Sequence, residues 1–344
     1  MVSDEHGGGG RRPRRRKPAN DEPAAVWKEK ELVADEQVDA GVVILRTTGC
    51  SHFHAGGCSM CGYNAESSAD ISAEDLGRQF ERAVSKLGDV AVLKVYTSGS
   101  FLDRSEVPST VAGSILDHCA GTSTRLLFES RPEYVTDESM AAVVERHGNV
   151  EVAMGLESAN DRVLKYSVNK GFTFSDYERA TKAIAGAGAR IRTYLLLKPP
   201  FLTEAEAMED AIASARKVDH LSDTISINPV NVQKGTLVER LWKGWAYRPP
   251  WLWSVLHVLR EISSLDARIV CDPTGGGRER GAHNCGECDG ASLEAISRFS
   301  MSQDRADLDV PACGCRDLWE KVTSLEPYVT GGGCDLQRFS RPRP

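Results

Sequence analysis

Three cysteines, Cys50, Cys58 and Cys61, lie in the stretch Gly49-Cys50-Ser51-His52-Phe53-His54-Ala55-Gly56-Gly57-Cys58-Ser59-Met60-Cys61-Gly62-Tyr63, directly after a β-like run. Three thiolates this close, in a glycine-rich loop, can hold three irons of a [4Fe–4S] cluster and leave the fourth open. An iron without a protein ligand is a place for reaction, whereas a fully ligated cluster mostly carries electrons. His52 and His54 fall between these ligands; three cysteines already suffice, so they read as loop or substrate contacts. A second set, Cys285-Gly286-Glu287-Cys288 and Cys313-Gly314-Cys315, has the close pairing that suits a tetrahedral zinc ion. His283 is an alternative ligand there, and Cys271 and Cys334 are spare candidates. A second iron–sulfur cluster is the competing reading. Four thiolates would leave a zinc no open position, which makes it structural.

The elements that must position these residues alternate along the chain. Strand-like runs occur at 41–47, 90–96, 125–128, 150–154, 190–197 and 224–228. Helical faces lie between them, such as Leu76, Phe80, Ala83, Val84 and Leu87, then Met140, Val143 and Val144, then Ala180, Ala183 and Ile184. Gly88, Gly148 and Gly186 or Gly188 supply helix stops. Six βα repeats in about 190 residues are too few for a full (β/α)8 barrel, which usually takes about 250. They predict an α/β fold with a partial (β/α)6 barrel. The polar residues that follow each strand then gather at one rim: Cys50, Ser98-Gly99-Ser100, Glu129-Ser130-Arg131, Glu157, Lys198 and Asn228.

Past residue 240 the repeat breaks, which divides the chain into four parts. Residues 1–25 form a basic arm without apolar periodicity, and 26–240 the barrel. Residues 241–330 form an aromatic- and cysteine-rich, metal-binding extension, and 331–344 a flexible tail. Trp242, Trp245, Tyr247, Trp251 and Trp253 are interleaved with Lys243 and Arg248. Such residues can stack unpaired bases, although most are expected in the core. The net charge of −7 does not advertise nucleic-acid binding. Local clusters do: Arg11, Arg12, Arg14, Arg15, Arg16 and Lys17, then Arg338, Arg341 and Arg343. Either cluster reads as a phosphate contact or as a solubilising charge run. No apolar run is long enough for a membrane span, and the N-terminus lacks the apolar core of a secretory signal. A cytoplasmic protein is expected.

The cysteine triad after the first strand of a partial barrel resembles the radical S-adenosylmethionine (SAM) superfamily. The usual spacing there is three residues, then two; here it is seven, then two. The residue before the last cysteine is usually aromatic and lies near the adenine; here it is Met60, with Tyr63 as a substitute. The wide-gap pattern resembles a narrower branch, the radical subunit of archaeosine synthase, related to elongator and methylthiotransferase proteins. Phe128-Glu129-Ser130-Arg131-Pro132-Glu133-Tyr134 and Gly155-Leu156-Glu157-Ser158 through Ser167-Val168-Asn169-Lys170-Gly171 resemble that related group, whereas Asn228-Pro229-Val230-Asn231-Val232-Gln233-Lys234-Gly235-Thr236 and His283-Asn284-Cys285 resemble the archaeosine branch.

The resemblance implies a [4Fe–4S] cluster on Cys50, Cys58 and Cys61 that chelates SAM. Ser98, Gly99 and Ser100 are then expected near the SAM amino group, and Glu129 at that ammonium or the ribose. Arg131, Arg192 or Lys198 would meet the carboxylate, and Glu157 the ribose hydroxyls. The implied reaction cleaves the lysine carbon–nitrogen bond of a lysine-adducted 7-deazaguanine in a tRNA D-loop. Implied partners are tRNA, a lysine-transferring synthase subunit and an electron donor. Asn231, Gln233 and Lys234 are candidate substrate contacts. Two alternatives remain open: another radical SAM RNA-modifying enzyme, and a non-catalytic iron–sulfur and zinc protein that binds RNA.

Overall fold

The computed structural model describes residues 19–34, 36–122 and 124–329. The basic run 11–17, the tail 331–344 and Cys334 lie outside the described residues.

Eight strands form one sheet in chain order: β1 (Ala25–Val33), β2 (Glu36–Ile44), β3 (Val92–Tyr96), β4 (Arg125–Glu129), β5 (Val150–Glu157), β6 (Arg190–Leu197), β7 (Thr224–Pro229) and β8 (Arg268–Val270). β1 and β2 pair antiparallel, and every later pair is parallel. The helices are α1 (Ser51–His54), α2 (Ala73–Leu87), α3 (Ser109–Thr122), α4 (Asp137–Arg146), α5 (Phe174–Gly186), α6 (Glu204–Val218), α7 (Leu237–Lys243), α8 (Leu252–Ile262), α9 (Asp289–Ser302) and α10 (Cys315–Val329). The sheet curls into a half-barrel, and β2 to β7 are its six expected strands.

Strand period sorts the side chains between two environments. Leu93 and Val95, Leu126 and Phe128, Val152 and Met154, and Ile225 and Ile227 pack toward the helices in one continuous core. The alternate residues face the concave side and are largely polar: Lys94 and Tyr96, Arg125 and Glu129, Glu151, Arg192 and Tyr194, Ser226 and Asn228. Toward the N-terminal ends of the strands the concave residues form a buried ion-pair network. Arg192 reaches Glu151 at 2.7 Å and Glu31 at 3.4 Å, and Lys94 pairs with both Glu31 and Glu29. Arg268 on the last strand reaches Glu31 Oε1 at 2.9 Å and donates to Leu32 O at 2.6 Å on the first. Charged side chains thus bring the two ends of the curled sheet together.

The helices start where local chemistry dictates. Ser72, Thr136, Thr173 and Thr203 each accept a hydrogen bond from the backbone N–H of the third helical residue, whose side chain in turn accepts one from the cap's own backbone N–H. Beyond residue 240, α8 and β8 continue into the same core: Trp251, Trp253, Leu256, Ile269 and Phe299 share one cluster with the barrel residues.

Candidate active site

The cysteine loop sits at the C-terminal rim and is held by residues from four other segments. The Cys50 N–H donates to Asn64 Oδ1 at 2.9 Å. A Cβ on Gly99 would lie 2.8 Å from Cys50 Cα, so only glycine lets the loop after β3 press this closely on the first ligand. Around Cys58, Ser59 N donates to Val168 O at 2.8 Å and Asn169 Nδ2 to Gly57 O at 2.7 Å. Val168 ends a π-helical turn, Val163–Val168, and Asn169 follows it in the left-handed region (φ 57°). His52 bonds Asn169 O through a ring nitrogen at 2.7 Å, so it is a loop contact. Beside Cys61, Gly62 N donates to Gln233 Oε1 on the segment after β7. Met60 packs with Leu196, Val230, Val232 and Val238.

Burial pushes the Cys61 thiol up to about 11 and also raises that of Cys58, against the pull of Lys170. Among the described residues, the one group of three or more His, Cys, Asp or Glu ligand atoms within 4.8 Å of one another is the C-terminal cysteine set. The rim thiols are therefore spread more widely than ligands of one ion. That suits a cluster in which each thiolate takes its own iron. Iron must displace the thiol protons, as ligation of any metal by cysteine requires.

The SAM-side expectations divide. Glu129 ends β4 half-buried, and its carboxylate has no hydrogen-bond or ion-pair partner among the described residues. Desolvation raises its pKa to about 8, with Lys170 opposing and Glu157 and Glu106 adding to the shift. Tyr63 is 59% exposed, yet the protein walls around it, with Glu129 and Cys61 near, push its phenol up to about 12. Tyr63 thus lies near enough to Glu129 to feel its charge. Glu157 pairs with Lys170 at 2.8 Å, and Gly155 leaves the room: a Cβ there would sit 2.7 Å from Glu157 Oε1. Arg131 stays beside the loop, donating to Glu133 at 2.6 Å and to Lys170 O at 3.1 Å.

Two expected cations meet competing partners. Arg192 is committed to Glu151 and Glu31 in the concave network, and Lys198 is buried against Glu204. Ion pairs this buried already satisfy both cations, which argues against either as a SAM carboxylate ligand. The N–H groups of Gly99 and Ser100 donate to Glu106 at 2.9 and 2.6 Å, which fixes this loop against Cys50. Ser98 bonds Ser67 at 2.9 Å. Glu106 also accepts from Thr47 Oγ1 at 2.7 Å, so one buried carboxylate ties the loop after β3 to the loop after β2. Glu106 was not singled out in the sequence, and Asn169 and Lys170 entered only within a stretch that carries the family resemblance, because nothing in their spacing shows that they meet the cysteine loop. Gln233 was singled out, but as a substrate contact rather than a clamp on Gly62.

The second metal site assembles from the expected residues. Cys285 and Cys288 lie 3.9 Å apart, Cys285 and Cys313 3.6 Å, and Cys288 and Cys315 3.5 Å, sulfur to sulfur. A tetrahedral zinc with Zn–S bonds of about 2.3 Å needs sulfurs about 3.8 Å apart, which this set fits. Trp253 Nε1 donates to Cys315 Sγ at 3.2 Å and Asn284 Nδ2 to Cys288 Sγ at 3.3 Å. His283 bonds Gly281 O at 2.8 Å and is outside the set; Cys271 is buried in the core.

Backbone strain also concentrates at this rim. Of the seven non-glycine residues with positive φ among the described residues, five end or follow strands β5, β6 or β7: Glu157, Asn169, Lys198, Phe201 and Trp245. Strain of this kind gathers where function holds it.

A family model described as the radical SAM superfamily matches residues 44–212, from the end of β2 into α6. Archaeosine synthase subunit beta of Methanosarcina acetivorans is 41% identical over 323 residues, covering 91% of this chain and 93% of that one. The chain belongs to the archaeosine synthase subunit beta family of radical SAM proteins. The protein of the same name from Thermococcus kodakarensis is 39% identical over 86% of this chain and 95% of its own length. The fold also resembles that of methylornithine synthase, with a TM-score of 0.51 at 14% identity, over 78% of this chain and 68% of that one. Membership in the radical SAM family implies a [4Fe–4S] cluster and SAM. The spread of Cys50, Cys58 and Cys61 and the unpaired Glu129 carboxylate fit both.

Proposed function

We propose that this chain is the radical SAM subunit that completes archaeosine in tRNA. It would cleave the lysine carbon–nitrogen bond of a lysine-adducted 7-deazaguanine in the D-loop and leave a formamidine. The observation that carries this reading is the 41% identity to an archaeosine synthase subunit beta across nearly its whole length. When bound, the cluster and SAM supply a deoxyadenosyl radical from the sulfur–C5′ bond of SAM. Hydrogen abstraction from the lysine carbon next to the nitrogen puts a radical where C–N scission can follow.

The protein's own part is binding and positioning. Cys50, Cys58 and Cys61 hold the cluster, and Glu129 accepts the ammonium of SAM. Tyr63 lies against the adenine, Glu157 takes ribose hydroxyls, and Arg131 meets the SAM carboxylate. Lys170, fixed by Glu157, keeps positive charge beside Cys58. Asn231 and Lys234 remain candidate substrate contacts. Cys285, Cys288, Cys313 and Cys315 hold a structural zinc. The partners in this reading are tRNA, a lysine-transferring subunit and an electron donor. The basic arm would add phosphate contacts, residues 241–330 would form an extension whose α8 and β8 pack into the barrel's core, and the place of action is the cytoplasm. No helix among the described residues is long and apolar enough to cross a membrane.

The deciding assay is anaerobic, with iron-reconstituted protein, SAM, dithionite and tRNA carrying the lysine-adducted base. Deoxyadenosine together with a formamidine nucleoside is expected. Deoxyadenosine alone would keep the radical chemistry and discard the substrate. Neither product, from protein that demonstrably carries a cluster, would favour a non-catalytic RNA-binding protein.

A further inference from the structure

We infer that the rim carries a docking platform for an unpaired RNA nucleotide, built from Trp245 with Lys234 and Arg240 and lying beside the SAM cavity. The inference rests on the RNA-substrate reading above and goes beyond it by assigning a surface. Five large aromatic rings are exposed among the described residues, and four stand on loops after β2, β6 or β7: Phe53, Tyr63, Phe201 and Trp245. Packing does not account for rings left in water at one end of a barrel. Unstacked bases, which need aromatic faces to lie on, do.

Trp245 is the extreme case. It is 96% exposed, and its backbone is left-handed (φ 59°), which is rare for a bulky side chain. The surrounding chain holds it there: Trp245 N donates to Trp242 O at 3.1 Å, Ala246 N to Leu241 O at 2.9 Å, and Tyr247 OH to Lys198 O at 2.7 Å. The anchored neighbours leave its ring free.

Its position follows from α7. That helix begins against the cysteine loop, with Val238 N donating to Ser59 O at 3.2 Å, and runs seven residues toward Trp245. At about 1.5 Å per residue, Trp245 stands about 10 Å from the loop. A neighbour of the reacting nucleotide can span that distance. Lys234 and Arg240 are exposed and have no ion-pair partner among the described residues. The nearby Glu239 is already matched by Arg280 at 2.6 Å and Lys243 at 3.3 Å. In a chain with net charge −7, an exposed aromatic ring on a segment that also carries two unpaired cations favours a polyanion with π-faces over a protein partner.

The test is binding of a fluorescent tRNA transcript to the full-length, cluster-loaded protein at several salt concentrations. A stacked base contributes about 1–3 kcal/mol, so Trp245→Ala should weaken the tRNA about 5- to 150-fold, while Trp245→Phe stays within about threefold. Binding of a blunt RNA duplex should not change, because its bases are closed to stacking. Lys234→Ala with Arg240→Ala should lower the salt slope by about 0.7 per cation. Equal tRNA affinity in Trp245→Ala and wild type overturns the platform. So does an equal loss on the duplex, or a loss of subunit association with tRNA affinity intact. Failure of the wild-type protein to bind tRNA at all overturns the RNA-substrate reading as well.

Discussion

Glu129 shows how one side chain reports the ligand it lacks. Its neighbours supply no counter-charge within hydrogen-bonding distance, and desolvation raises it to about 8 from an ordinary 4.5. At neutral pH the ligand-free carboxyl is therefore mostly protonated. SAM, bringing its ammonium, should release close to one proton on binding at pH 7 and none above about pH 9. Calorimetry in buffers of different ionisation heat measures this directly, and no release at pH 7 would remove Glu129 from the SAM site. The same shift has a stability consequence. The folded carboxyl binds its proton more tightly than the unfolded one, so its contribution is full below the ordinary value and fades as pH rises through 8. Glu129→Gln should thus flatten the decline in melting temperature of the SAM-free protein between pH 6 and 9.

At the scale of an element, the loops after the strands act as one clamp, and glycines set how closely they fit. Adding a Cβ at Gly99 would place it 2.6 Å from Glu106 Oε2 and 2.8 Å from Cys50 Cα, and backbone cannot yield cheaply there. Gly99→Ala is expected to reduce iron retained after reconstitution several-fold while the far-ultraviolet spectrum stays unchanged. Gly77, inside α2, has nothing within 4 Å of its would-be Cβ. Gly77→Ala should instead stabilise the fold by about 0.5–1 kcal/mol, read as a higher denaturant midpoint. If both variants lose iron equally, close approach at Gly99 is not what seats Cys50.

Across the whole molecule, two charged or metal-holding assemblies tie distant parts of the chain together. Glu31, on β1, meets Lys94, Arg192 and Arg268 from β3, β6 and β8. Burial alone would raise its pKa, but Arg192 and Lys94 bring it down to about 2. A lowered carboxyl stabilises the fold above its ordinary value and loses that contribution as pH falls toward 2. Glu31→Gln leaves Arg268 without a carboxylate and Arg192 and Lys94 with one each, and should cost about 3–5 kcal/mol, with a shallower acid-unfolding curve; an unchanged midpoint would show that the network is dispensable. At the other end, Cys288→Ser should release close to one zinc per chain to a chromogenic chelator and lower the melting temperature. An intact zinc content would mean that the ion is held elsewhere.

Much of this architecture is legible in the chain itself. The six βα repeats, the rim cysteines and the four C-terminal cysteines follow from periodicity and close spacing, because those are local signals that survive folding. β1 was not visible. Its concave positions carry Glu29 and Glu31, so a strand facing the barrel interior reads as a charged surface stretch. Nor could the sequence separate the rim cations: Arg131, Arg192 and Lys198 are alike as residue types and differ only in which carboxylates the fold places beside them. The tertiary structure gave Arg192 to Glu151 and Glu31, gave Lys198 to Glu204, and left Glu129 without a partner. Residue types and spacing determine which groups can do chemistry. Which of them remain unpaired at the rim, and so available to a ligand, depends on contacts between residues far apart in the chain, and folding alone sets those.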